Sequence, residues 1–402
     1  MNKHRDEVHH NLTPQHQVLA LCLLTGLSVL SIFPLDVLLP SYPSMAQAFA
    51  KTPSDIAASL STFVAFFAFS QLVVGPLSDL IGRQRVLLAG LVLIFFSVIG
   101  CATAKDYETF LAFRSLQAVG CSTLVLSQAI IQDAFEEAKR HGVRIYLVST
   151  SGVLISLSPL LGTFIEEFQG WQGSFYICAL IVLLLIPLTL TTYRADYKAS
   201  LNKPTNIYLN YRSMFMHRTF VSYWILAGLS FSCHFTFIII SPLIFLDDFK
   251  VGSYAYGFIL LSYGAAYICG GLLAKLLSPR ISGPNQINVG FTLILITGAA
   301  ILAASQLNIL SAGTLLGFMI ICTTGTTLCR PVAASFAMRF FNTSAGTASA
   351  AGSTVVFTIA AIISAVVSYA AADLYVTLGW LFILSSGTGL VLNSLIDQTS
   401  PL

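Results

Sequence analysis

A chain of 402 residues that is 56% hydrophobic and only 9% charged cannot clothe a soluble surface, and its formal net charge of +3 is carried by bases set between long apolar runs. The alternating ten-residue segments of a transmembrane barrel are absent, as are GxxxxGKS/T, a hydrolase triad, a haem motif and any metal-ligand cluster. These exclusions leave an all-α polytopic membrane protein with no catalytic residues, no metal and no nucleic-acid partner.

The chain opens on a polar, His-rich tail, residues 1–17, with His4, His9, His10 and His16 and no cleavable signal pattern. Apolar runs of helical length then fall at about 18–39, 56–77, 86–104, 109–132, 144–166 and 172–192. A polar connection, 193–218, follows, in which a surface helix can form but Pro204 forbids a continuous one. Six more runs lie at about 220–246, 254–277, 286–305, 309–333, 345–370 and 374–396, and 397–402 is a short tail. The pattern predicts twelve spans in two six-helix bundles, 18–192 and 219–396, joined by the 193–218 linker. Cys22, Cys101, Cys121, Cys178, Cys233, Cys269, Cys322 and Cys329 all fall in apolar runs and read as small core residues.

The runs 56–77 and 86–104 are parted by Gly75-Pro-Leu-Ser-Asp-Leu-Ile-Gly-Arg-Gln-Arg85, expected to be a polar turn at a membrane surface. A weaker copy, Gly271-Leu-Leu-Ala-Lys-Leu276, closes the eighth run 196 residues later, as a duplicated six-helix plan requires. With both termini cytoplasmic, fifteen of the twenty lysines and arginines face inward. Only Lys51, Lys105 and Lys250 lie in outer loops, and Arg114 and Arg330 fall within spans.

Ionisable groups inside spans are costly, so they point to function. Asp36, in Pro34-Leu-Asp-Val-Leu-Leu-Pro40, is either an acid snorkelling to the outer interface or a protonatable carboxylate facing a cavity. Arg114 and Gln117 share a helix face three residues apart. Arg114 can pair with Asp36, as a structural bridge or within a transport pathway, and Gly120 admits a neighbouring backbone. Arg330 either snorkels inward or draws an anion into the cavity. His234 is a hydrogen-bonded interior residue or a substrate contact and proton relay. Pro159 bends the fifth run between Gly152 and Gly162, and Ala345–Gly352 offers another small-residue seam.

At these residues the chain resembles the major facilitator superfamily, and within it the Bcr/CflA group of twelve-helix drug/proton antiporters. The likeness rests on Gly75-x-Leu-Ser-Asp79-x-x-Gly82-Arg83-x-Arg85, on Arg114-x-x-Gln117-Ala-x-Gly120 with Asp133-x-Phe135, and on Gly152 to Ser158-Pro159-x-x-Gly162 followed by Trp171-x-x-x-Phe175. Ser241-Pro242, Tyr256-Gly257 and Ala345-Gly-Thr-Ala-Ser-Ala350 extend it over nearly the whole chain. Leu80 stands where the group commonly has a base, and Val37-Leu38 where its first helix commonly reads Met-Tyr, which alters the cavity wall.

The resemblance implies that Asp79 and Arg83, with Gly75 and Gly82, gate the cytoplasmic side, that Asp36 and Arg114 lie on the proton and substrate path, and that Pro159 marks the antiporter helix. It implies export of a small organic molecule against protons, driven by the gradient without a cofactor. The protein would be a monomer among lipids in a bacterial inner membrane. Drug and self-made metabolite both fit as cargo, and Arg114, His234 and Arg330 would suit an anionic one such as a carboxylate siderophore. An uptake permease and a membrane sensor are lesser readings.

Overall fold

The computed structural model describes residues 14–135, 137–192, 207–277, 279–369 and 373–396. The tails beyond these limits, the 193–206 part of the linker with Pro204, and the side chains of Asp79 and Asp133 lie outside that description.

Hydrocarbon offers the backbone no hydrogen-bond partners, so the apolar runs close their own bonds as helices. The first crossing is α1 (Pro14–Ile32), a π-helical turn (Phe33–Val37), a short 3-10 turn (Leu39–Ser41) and α2 (Tyr42–Ala48). The second and third are α3 (Pro53–Ile81) and α4 (Arg83–Thr103). The fourth is α5 (Tyr107–Cys121) continued by α6 (Ser127–Ala134). The fifth and sixth form α7 (Glu137–Thr192), broken by Gly170 at φ 66°. Its apolar stretch of 40 residues would run about 60 Å as a straight helix, twice the hydrocarbon thickness. Gly170 therefore divides two crossings. Beyond the linker helix α8 (Ile207–Met216) come α9 (Arg218–Pro242, with a π-helical turn Leu243–Asp248), α10 (Ser253–Leu277), α11 (Gly283–Gln306), α12 (Ala312–Met338), α13 (Ala345–Tyr369) and α14 (Leu374–Leu395).

All twelve expected spans are present, with α1 starting earlier than expected, at Pro14. Both described ends lie on one side, called here the termini side. Four helices that start on the far side, α3, α5, α12 and α14, are capped by side-chain oxygens: Thr52 with Asp55, Asp106, Ser311 with Thr314, and Asp373. Lys51, Lys105 and Lys250 sit in the far-side loops, while Arg83, Arg85, Lys139, Arg212, Arg218, Arg280 and Arg339 lie at the termini side.

The turn expected over 75–85 is much smaller. α3 runs on through Ile81, and Gly82 alone, at φ 96°, turns the chain into α4. Pro76 lies inside α3 and cannot donate to the carbonyl of Leu72. The Tyr211 hydroxyl of α8 donates to that oxygen at 3.3 Å, and Ser78 Oγ donates to Gly75 O at 2.7 Å. The linker helix thus supports the helix that the proline would otherwise weaken.

Packing repeats between the halves. α4 packs on α5 and α7 as α11 packs on α12 and α14, α3 on α5 as α10 on α12, and α1 on α7 as α9 on α13. Two glycine crossings mark the repeat. A methyl group on Gly120 would lie 2.9 Å from the Gly90 carbonyl oxygen, and methyl groups on Gly290 and Gly325 would lie 2.6 and 2.5 Å from each other's carbonyl oxygens. Both π-helical turns, one with Pro34 at its second residue and one directly after Pro242, also occupy equivalent far-side positions.

The halves meet along two seams, α3 with α13 and α7 with α10. The first holds the Ser61 and Ser364 hydroxyls 2.8 Å apart, and Thr354 Oγ1 donates to Ala68 O at 3.0 Å. In the second, Gly264 rests on Ser156 and Gly257 on Leu160, Thr163 Oγ1 reaches Ser253 O at 3.4 Å, and the Tyr254 hydroxyl donates to Glu167. These contacts run from mid-membrane to the far side and hold the two halves together there.

Candidate functional site

The first crossing loses α-helical regularity where it carries its acid. Pro34 is the second residue of the π-helical turn, whose altered ladder frees backbone oxygens for other donors. One is used: Arg114 Nη2 donates to Pro34 O at 2.8 Å, and Nη1 donates to Gln117 Oε1 at 2.7 Å. Arg114 is fully buried, its guanidinium 4.7 Å from the Phe63 ring centroid. Hydrogen bonds to a charged group contribute roughly 1.5–3 kcal/mol each, and the ring adds about 1.

The Asp36–Arg114 ion pair that the sequence allows is not formed. Gln117 and the Pro34 carbonyl take the guanidinium's outer edge instead, and its Nε has no acceptor. Asp36 is half-buried and has no hydrogen-bond or ion-pair partner among the described residues. Tyr42, on α2, lies within Coulombic reach of both Asp36 and Arg114, and Tyr256 of α10 within reach of Asp36. The carboxylate is thus within reach of groups from both halves of the molecule.

In the second half, α9 and α10 run antiparallel and share two rungs. The Ser241 and Tyr256 hydroxyls are 2.8 Å apart, and His234 Nδ1 lies 2.5 Å from the Tyr263 hydroxyl. Each rung is seven residues from the next on both helices, so the rungs share a face about 10 Å apart along the axis. His234 also reaches Thr323 Oγ1 at 3.5 Å, a weak contact. Arg330 does not snorkel to the termini side. Its guanidinium lies 4.2 Å from the Phe231 ring centroid, half-buried and near His234. No carboxylate pairs with it among the described residues.

A continuous aromatic path joins the two arginines. From Arg114 it runs through Phe63, stacked on Phe67 at 6.2 Å, then edge-to-face to Phe357 of α13 at 5.2 Å. Phe357 meets Phe231 edge-to-face at 5.5 Å, and Phe231 carries Arg330. Phe67 and Phe357 are half-buried and cross the α3–α13 seam. None of these four phenylalanines was singled out from the sequence; the four-residue spacing of Phe63 and Phe67 puts those two on one helix face, but nothing in the spacing ties them to Phe231 or Phe357. The Ser241/Tyr256 and His234/Tyr263 rungs did leave a signal, the matched seven-residue intervals.

The bend-forming prolines are cushioned by the serines before them. Ser158 Oγ donates to Ile155 O at 2.7 Å and Ser241 Oγ to Ile238 O at 2.8 Å, the two carbonyls that Pro159 and Pro242 leave without a helical donor. Gly162 packs on the Val37 carbonyl and Pro40 of its own half, and Gly352 on Trp224. The small residues of the α7–α10 seam itself are Gly257 and Gly264. At the termini side, Gly75 and Gly82 have no neighbour within 4 Å of a would-be Cβ, and Arg83 starts α4 beside them. Of the eight cysteines, six are buried and Cys22 and Cys269 exposed, all unpaired.

The family model of the Major Facilitator Superfamily matches residues 24–365. Chloramphenicol resistance protein CraA of Acinetobacter baumannii is 26% identical over 87% of this chain and 85% of its own length. A bicyclomycin resistance protein homolog of Haemophilus influenzae is 22% identical over 70% of this chain and 72% of its own. The multidrug transporter MdfA of Yersinia pestis is 26% identical over 68% and 67% respectively.

Proposed function

Because the chain belongs to the major facilitator superfamily, we propose that it is a proton-coupled exporter that moves a small organic molecule outward in exchange for protons. The carrying observation is Asp36: a half-buried carboxylate without a partner, at a π-helical turn, within reach of groups from both halves of the molecule. Such an acid is free to trade a proton for cargo, whereas a paired one would be held in a single state. Arg114 and Gln117 hold the turn that presents it. His234 and Arg330 line the opposite wall.

The names of the relatives, which concern chloramphenicol, bicyclomycin and multiple drugs, favour a drug-like cargo. The distribution of bases favours cytoplasmic termini and a bacterial inner membrane. In that orientation the far side, where the halves are held together, faces out, so this is the form that loads from the cytoplasm, and rocking about the two seams would release cargo outside. Gly75, Asp79, Gly82 and Arg83 would latch the inner side in the opposite form. Arg83 and Arg85 lie in the first turn of α4, where the helix dipole disfavours cations by about 0.3–1 kcal/mol each, so a nearby acid such as Asp79 is electrostatically wanted. Gly152, Pro159 and Gly162 would shape the moving fifth crossing. Proton coupling would need no cofactor, and a monomer suffices because each half supplies one wall.

The test is everted vesicles from cells with and without the gene, loaded with chloramphenicol under a pH gradient. Accumulation that an uncoupler abolishes is expected; accumulation indifferent to the uncoupler, or equal without the gene, would count against the reading.

A further inference from the structure

Resting on the exporter reading, the geometry points to the cargo's class: we infer that it is a bipolar molecule with a flat aromatic body. A cationic or hydrogen-bond-donating end would sit at Asp36, and a carboxylate or similar anionic end at Arg330 and His234. Three independent features converge on this.

The first is charge. Arg330 is half-buried, has no carboxylate partner among the described residues, and is held by stacking on Phe231, which leaves its N–H edge free for an anion. Asp36, on the other half, is an acid with no cation on it.

The second is distance. Asp36 is within Coulombic reach of Tyr256, and His234 meets Tyr263 two helical turns further along α10, which sets the poles about 10 Å apart along that helix. That suits a molecule of two or three fused rings.

The third is the wall that runs from Arg114, which holds the turn bearing Asp36, to Arg330. The Phe63, Phe67, Phe357 and Phe231 rings form an unbroken aromatic series, with two members half-buried. A planar π system stacks on such a wall without needing a specific hydrogen bond.

The sign of coupling narrows the class further. A purely anionic cargo would be repelled by ionised Asp36 and favoured once Asp36 is protonated, so it would travel with protons. Exchange requires a cargo end that competes with the proton at Asp36, which a positive or donor group does. An anionic pole alone at Arg330 is therefore insufficient, and two poles satisfy both walls.

The test uses the full chain purified in detergent and three related dyes: a rhodamine with a free carboxylate, its methyl ester, and fluorescein, read by fluorescence anisotropy. The carboxylate rhodamine should bind tighter than its ester by about tenfold, the value of one charge-assisted hydrogen bond. Arg330→Gln should bring the two within about twofold and Arg330→Lys should restore part of the difference, whereas Asp36→Asn should weaken both rhodamines relative to fluorescein. Equal binding of ester and free carboxylate, equal loss of both in Arg330→Gln, or no saturable binding of any dye would overturn the inference. The exporter reading fails separately: in proteoliposomes the carboxylate rhodamine would bind as described yet show no movement against a pH gradient.

Discussion

Gly264→Ala is expected to push the protein out of its far-side-closed form. A methyl group at that position would lie 2.5 Å from Ser156 Oγ, 2.9 Å from its Cβ and 3.0 Å from its Cα. Rotating the serine relieves only the first of these, so α7 and α10 must separate by several tenths of an ångström. Overpacking of this kind costs about 1–3 kcal/mol. Because the contact belongs to the α7–α10 seam, most of that cost should fall on the state in which the seam is closed beyond it, at Gly257–Leu160, Thr163–Ser253 and Tyr254–Glu167. The closed-to-open ratio should then fall by about 5- to 150-fold. Gly271→Ala is the matched control, since nothing lies within 4 Å of a Cβ there on the same helix. Spin labels at Lys105→Cys and Leu307→Cys, on the far-side loops of the two halves, would report the change by double electron–electron resonance. The background would carry serine at the exposed Cys22 and Cys269. A longer-distance population that grows in Gly264→Ala but not in Gly271→Ala is expected. Identical distance distributions in both, or an equal shift in the control, would refute the argument.

Tyr211→Phe should cost about 1 kcal/mol in thermal or denaturant unfolding, and nothing in a Pro76→Ala background, where Leu72 O regains its own helical donor. A penalty that survives Pro76→Ala would mean the hydroxyl acts elsewhere. Phe357→Leu breaks two edge-to-face contacts and should destabilise by about 1–3 kcal/mol; a loss below 0.5 kcal/mol, as an approximate bound, would show the aromatic series to be incidental. Asp106 caps α5, and hydrogen bonds from the Thr109 backbone N–H and hydroxyl hold its carboxyl below the usual range. Its folded pKa is depressed, so the stabilisation is present above the ordinary carboxylate value and is lost as pH falls through the folded one. Asp106→Ala should therefore lower the unfolding midpoint at neutral pH, with the gap to wild type closing in acid. A gap independent of pH would contradict the cap.

Much of the architecture was legible because hydrocarbon is a severe solvent. Every span longer than the bilayer core had to become a helix, so runs of hydropathy located all twelve crossings, and Gly120 announced a close helix crossing correctly. The turn at Gly75–Arg85 was overestimated because Pro76 and Gly75 ordinarily end helices. Only the fold brings Tyr211 to the carbonyl that Pro76 leaves bare. The Asp36–Arg114 pair failed for a related reason. The π-helical turn offers Arg114 an acceptor in Pro34 O, an uncharged one that the sequence gives no reason to prefer over the carboxylate two residues on. The aromatic series was invisible in the sequence, since Phe63, Phe67, Phe231 and Phe357 belong to three spans that meet only once the two halves are assembled.

The central claim is that Asp36 exchanges protons for cargo. It is tested most directly by purified protein in liposomes carrying an internal pH dye, comparing wild type with Asp36→Asn as chloramphenicol is added. Wild type should show cargo-linked proton movement, and Asp36→Asn should bind cargo yet move no protons. Proton movement that continues unchanged in Asp36→Asn would contradict the account.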